Sequence, residues 1–146
     1  FRYYWREEHA LISHLVLIGH GRADALLFGE NNWISALDFR SSLNIDDEIG
    51  EAKQIISLCC KTGGGNFGKL VSAGQICEIF LGPSGRIHAS SASLFYQSYL
   101  AYHLLNGYSS NRAYDYARIA TPGVAEFNLW RKKRLHEKKN KREVLG

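Results

Sequence analysis

Two side chains in this sequence are of the kinds that transfer acyl groups, and each follows an apolar run. His20 stands between Gly19 and Gly21 in "LVLIGHG" (15–21), and Cys60 is the second of a pair that closes "IISLCC" (55–60). A thiolate attacks carbonyl carbon well, but a free thiol has a pKa of about 8.5 and is only a few per cent ionised at neutral pH. An imidazole within reach can accept the thiol proton and later return it to a leaving amine. Gly21 has a separate use. A backbone N–H with no side chain beside it can approach a developing oxyanion closely, and the N–H of Cys60 can supply a second donor. Gly63 and Gly64, just after the cysteine, would leave room for a substrate chain. The same residue types also have a plainer use: cysteine is among the most buried residues, and a histidine at a strand end is usually just hydrogen-bonded.

The elements that must position these groups alternate in type. Residues 15–19, 54–60 and 77–85 read as buried core strands, the last stopped by Gly-Pro. "ALLFG" (25–29) reads as a further short strand closed by the turn "GENN", and 33–43 as a short helix or turn. A polar connection, "NIDDEIGEAK", follows. After the cysteines, a glycine-rich turn leads into a short helix that Gly74 could cap. The clearest helix is 89–107, with apolar positions 94, 95, 99, 100, 102, 104 and 105, a cap at Ser90 or Ser91, and Gly107 at its end. A shorter helix, 109–121, ends near Pro122. Strands alternating with helices imply an α/β fold with a mainly parallel central sheet flanked by helices. Ligands of such sheets sit at the carboxyl ends of the strands, the edge at which both His20 and Cys60 fall.

Composition narrows the function classes. The 146 residues suit one domain, and no apolar run approaches the roughly 18 to 20 residues of a membrane span. The opening "FRYYWREEHA" lacks the layout of a signal peptide and reads as the interior of a longer chain, with an upstream strand or helix expected. Three cysteines, two of them adjacent, make a poor disulfide framework, so a cytoplasmic setting is expected. No metal-ligand spacing occurs, and neither a metal nor a cofactor is expected. The net charge of +4 is a property of the tail: residues 131–146 hold eight Lys or Arg against two Glu, whereas the first 130 hold ten against twelve acids. Hence a domain is expected over 1–130 and a solvated basic tail over 131–146. Nucleic acid would be a partner only through that tail, where no aromatic residue interleaves the charges for base stacking.

Taken in order, "LVLIGHG" and "IISLCCKTGGGNFGKLV" resemble the caspase-like cysteine peptidase superfamily, whose pattern is a strand ending in His-Gly and a later strand ending in a cysteine pair of the Ala-Cys kind. "EIFLGPSGRIHASSASLFYQSYLAYHLLNGYSSNRAYDYAR" is similar to the CHAT-domain branch in its order of strand, turn, long helix and short helix. The likeness covers about residues 15–118, and its His-to-Cys spacing of 40 compares with about 50 in caspases. It implies a three-layer caspase-like sandwich and a cysteine endopeptidase working through a thioacyl-enzyme intermediate. His20 would move the proton, Cys60 would be the nucleophile, Gly21 and Cys60 would form the oxyanion hole, and Cys59 would be the small buried neighbour. Protein or peptide substrates and regulatory or fused domains would be the partners. Relatives that cut after basic residues often carry an acid two positions before the nucleophile, where this chain has Leu58, so Asp24 becomes the candidate acid for such a pocket. The main alternative is an inactive caspase-like fold serving as a protein-interaction module; a different cysteine hydrolase or acyltransferase is another.

Overall fold

The computed structural model of the protein describes residues 2–44, 52–122 and 126–145 and is a mixed α/β fold. Helix α1 (Arg2–Glu8) leads into strand β1 (His14–Leu17), then three short strands, β2 (Gly21–Arg22), β3 (Ala25–Phe28) and β4 (Asn32–Ser35), and helix α2 (Ala36–Leu43). Next come β5 (Lys53–Ser57), α3 (Asn66–Ser72), β6 (Cys77–Pro83), α4 (Ala89–Leu100) and α5 (Ser110–Ala120). A hairpin of β7 (Phe127–Arg131) and β8 (Arg134–Leu135) precedes the short α6 (Lys141–Leu145). The polar connection expected over 44–53 lies mostly outside the described residues.

The main sheet has the order β1-β5-β6-β7-β8, with β1, β5 and β6 parallel and the β7–β8 hairpin antiparallel to them. Alternation along the strands divides the core in two. Ile55 and Phe80 pack with Phe39 of α2 and with Phe67 and Val71 of α3, while Ile56, Ile79 and Leu81 pack with Phe95 and Tyr99 of α4 and Tyr114 of α5. A sheet covered on both faces needs near-continuous apolar strands, and "QII" and "IFL" supply them.

Several elements differ from the sequence reading. Residues 25–28 are not in the main sheet; they form the middle strand of a separate antiparallel sheet, β2-β3-β4. Residues 33–35, read as helix or turn, belong to β4, because the Ser35 hydroxyl accepts the Asp38 N–H (3.1 Å) and so caps α2. A capping residue has extended geometry, and the chain before it stays extended. In α4 the buried stripe is Ala92, Phe95 and Tyr99, whereas Leu94, Leu104 and Leu105 are exposed. Leu94 lies about 200° around the helix from Ala92. Residues 101–105 form a π-helical turn, which shifts the phase of the residues after it. The cap of α4 is His88, not Ser90 or Ser91, and its side chain makes no capping bond.

The basic segment is only partly solvated. Arg131 closes β7, Arg134 and Leu135 form β8, and His136 Nε2 lies 3.4 Å from the buried Asp115 carboxylate. Arg118 Nη2 reaches forward to the Lys139 carbonyl (2.7 Å). The strand β7 went unread in the sequence because its apolar Phe127, Leu129 and Trp130 run straight into the lysines and arginines.

A polar chain crosses the packing of β1, β5, α4 and α5. Tyr99 Oη donates to Gln54 Oε1 (2.7 Å), Gln54 Nε2 donates to Ser110 Oγ (2.9 Å) and to His103 Nε2 (3.1 Å), and His103 Nδ1 donates to the Tyr108 carbonyl (2.8 Å). The ring of His14, at the start of β1, lies 5.4 Å from that of His103, and its Nε2 is buried with no partner among the described residues. Burial, and then the neighbouring His103, hold the His14 imidazole below its ordinary 6.5, although the nearby Gln54 side chain opposes the shift. The unfolded chain therefore binds the proton more readily than the native one. Stability is fully present above pH 6.5 and is lost as the pH falls from there through the folded value. The melting temperature should accordingly drop between pH 7.5 and 5.5, and His14→Asn should flatten that drop. Identical pH slopes in the two proteins would show that His14 carries none of it.

Candidate active site

The strands that lead to His20 and Cys60 end level. Leu17 pairs with Ser57, and each chemical residue stands three positions beyond its strand, on the carboxyl edge of the parallel pair. Neither strand runs as far as its apolar sequence suggests: β1 stops at Leu17 and β5 at Ser57. Side-chain hydrogen bonds divert the second. Ser57 Oγ accepts the Cys59 N–H (3.2 Å), and Thr62 Oγ1 bonds Ser57 Oγ (2.8 Å) and donates to the Cys59 carbonyl (2.9 Å). Short polar side chains of this kind compete with a sheet ladder and favour turns. Within the turn Lys61 has a φ of 66°, a left-handed backbone that few residues with a side chain adopt.

Gly21 brings the two loops together. A Cβ there would lie 2.8 Å from Cys59 Cβ, from the Cys60 carbonyl oxygen and from Thr62 Cγ2, so no larger residue fits without moving the turn. As a result His20, Gly21 and Arg22 face Cys60 and Lys61 across a cleft of about 620 Å³. Trp33 of β4 forms part of its wall, and the loop after β6 adds Arg86, Ile87 and His88. His20 is exposed and Cys60 half-buried, so a ligand in the cleft reaches both. The Cys60 thiol lies 3.8 Å from the Ile87 carbonyl.

The two backbone donors make no hydrogen bond within the described residues. Gly21 is opposite Leu26, and the neighbouring Leu27 N–H bonds the His20 carbonyl (3.0 Å). Gly21 is thus in a non-hydrogen-bonded pair, with its own N–H turned away from β3. Among the described residues the Cys60 N–H has no hydrogen-bond partner. Both donors needed beside a developing oxyanion are therefore unspent.

The three thiols are not equivalent. Cys59 and Cys77 are buried, and that burial pushes both thiols above the ordinary range, against a smaller opposing hydrogen bond in each case. All three are free. Among the described residues no group of three or more His, Cys, Asp or Glu could hold a metal ion, and no helix is long and apolar enough to cross a membrane.

The remaining expected site residues lie elsewhere. Asp24 is exposed and bonds Arg22 Nε (3.0 Å); it does not line the cleft. Gly63 and Gly64 do not line the cleft: Gly63 is buried against β6, and Gly64, though exposed, lies close to the residues just after that strand. A Cβ on Gly63 would overlap the Gly82 carbonyl, and one on Gly64 would come within 2.8 Å of the Ser84 carbonyl. The Gly63 carbonyl also accepts Trp130 Nε1 (2.8 Å) and Asn128 Nδ2 (3.0 Å). Conversely, Arg86 and His88 were missed in the sequence, although they follow the Gly-Pro stop of a core strand and so fall on the same carboxyl edge. No family model matches this chain, and no curated protein matches it either, so the site stands on its own geometry and chemistry.

Proposed function

We propose that the protein is a cysteine endopeptidase of the caspase-like kind, closest to the CHAT-domain branch, with Cys60 as nucleophile and His20 as the proton-transfer residue. The observation that carries this reading is that one cleft holds the least buried of the three thiols, an exposed imidazole and two unspent backbone N–H groups. In the reaction, His20 takes the Cys60 proton and Sγ attacks the carbonyl carbon of the peptide bond. The oxyanion that forms is met by the N–H groups of Gly21 and Cys60. The C–N bond then breaks, and the imidazolium gives its proton to the leaving amine. Water, deprotonated by His20, attacks the thioester, the C–S bond breaks, and Cys60 recovers its proton.

The test is alkylation followed by mass mapping. Iodoacetamide at neutral pH should modify Cys60 well before Cys59 or Cys77, and a peptidyl electrophile should modify Cys60 alone. Preferential modification of Cys59 would sink the assignment. A second reading, an inactive domain that binds partner proteins, is favoured by one contact: the Cys60 thiol is directed at the Ile87 carbonyl, and no hydrogen bond joins it to His20. In that case iodoacetamide would still find Cys60, but peptidyl electrophiles would show no rate advantage over it, and His20→Ala would change neither rate.

A further inference from the structure

The basic tail and a group of tyrosines are apart in the sequence and adjacent in the fold. Tyr102, Tyr108 and Tyr116, all half-buried, form one cluster with ring centroids 5.2 to 6.0 Å apart. Arg112 of α5 is exposed and lies over it, 4.1 Å from the Tyr108 ring centre and 5.6 Å from that of Tyr116. Among the described residues its guanidinium has no carboxylate partner, so the rings alone hold it and its edge stays open for other acceptors.

The tail runs along the same side of α5. Arg112, Asp115 and Tyr116 share a groove of about 570 Å³ with His136, Lys139 and Glu143. Two contacts keep the tail there: His136 Nε2 stands 3.4 Å from the Asp115 carboxylate, and Arg118 Nη2 donates to the Lys139 carbonyl (2.7 Å). Cations crowd as a result. Burial, and then the charge of Arg118, hold the Lys138 ammonium below its ordinary range, although Glu126 opposes the shift. Like charges brought this close repel, and a bound anion would relieve them. Of the two acids in the groove, Asp115 is buried against His136, and only Glu143 is exposed.

The tail by itself has charge but no aromatic residue between its charges; the fold supplies the aromatic faces from α5 and the turn before it. A basic surface alone fits any polyanion. Tyrosine rings and a guanidinium plane beside it add flat stacking faces, which unpaired bases use and which a duplex, an acidic peptide or a lipid headgroup does not. From this we infer that α5 and the docked tail bind single-stranded nucleic acid, with phosphates on Lys139 and Arg112 and bases stacked on Tyr116 and the outer face of the Arg112 guanidinium. Phosphates and base faces are common to RNA and DNA, so the sugar should matter little. The surface is separate from the peptidase reading, and Cys60→Ala protein should bind as the parent does.

The test is fluorescence anisotropy of the full chain with labelled oligothymidylate of about 12 nucleotides, within the usual range of site sizes. Contact with about two to four phosphates gives a plot of log affinity against log salt with a slope of about −1.5 to −3. At about 150 mM salt, where the Debye length is about 8 Å, the single strand should bind about tenfold tighter than a duplex of the same length or a polyglutamate of equal charge. Lys139→Glu should weaken all three ligands, the single strand by about tenfold. Tyr116→Leu should weaken the single strand by a similar factor of about ten and leave the other two unchanged. Glu143→Gln should tighten binding, a gain that a misfolded protein would not show. Equal affinity for single strand, duplex and polyglutamate would make the surface a general polyanion patch and overturn the inference. Vesicles of phosphatidylserine that bind where the oligonucleotide does not would overturn it too, as would single-strand binding unchanged by all three substitutions.

Discussion

Gly63→Ala should cost about 3 kcal/mol or more of folding stability, the upper range for forcing a group into a filled core. The glycine is held on three sides. Its N–H bonds the Pro83 carbonyl (2.8 Å), its carbonyl takes two side-chain donors from β7, and the place a Cβ would occupy belongs to the Gly82 carbonyl. Backbone, unlike the end of a long side chain, cannot swing aside. The entropy gained by removing a glycine from the unfolded chain is at most about 1 kcal/mol and does not offset this. Urea titration reads the difference, and a variant within 1 kcal/mol of the parent on the same scale would mean that β6 yields where the packing says it cannot.

His20→Ala should lower peptide hydrolysis by about 10²- to 10⁴-fold while leaving the melt almost unchanged. His20 is exposed, and its hydrogen bond within the fold is made by its backbone carbonyl, which alanine keeps. The expected change in stability is within about 0.5 kcal/mol, as for other surface positions. Gly21→Val makes the contrast, since its branched side chain would collide with Cys59, Cys60 and Thr62 and lose both activity and stability. His88→Ala is the necessary control, because His88 lines the same cleft. A larger loss of rate at His88 than at His20 would give the proton transfer to the wrong imidazole, and an unfolded His20→Ala would make His20 a structural residue.

The three parallel strands of the main sheet were legible because strands covered on both faces must be largely apolar, as "LVL", "II" and "IFL" are. Their ends were less legible. The apolar run continues past the end of each strand at Ile18 and Leu58, and the Ser57–Thr62 hydrogen bonds turn the chain out of β5. Strand alternation suggests that Cys59 and Cys60 face opposite ways, but both lie beyond the strand, and the turn decides which is buried. Of the small sheet only β3 was read as a strand, because strands of two to four residues carry too little periodicity to read. Gly63 shows a general difficulty: a glycine that makes room for a ligand and one that makes room for a neighbouring strand look the same in one dimension.

The two residues of the proposed dyad are fastened to parts of the molecule with unequal resistance to local opening. Cys60 belongs to a turn tied by Lys61 and Gly63 to the end of β6, a strand with hydrogen-bonded neighbours on both sides. His20 hangs between the edge strand β1 and a three-stranded sheet that joins no strand of the main one. Amides at the centre of a sheet open only with the whole domain, whereas edges and short ribbons open at far lower free energy. The base side therefore parts from the thiol more often than the thiol parts from the core. The fraction of molecules with the dyad assembled is set by that local equilibrium, and an extended ligand that bridges Trp33 and Ile87 would raise it simply by holding the two walls together.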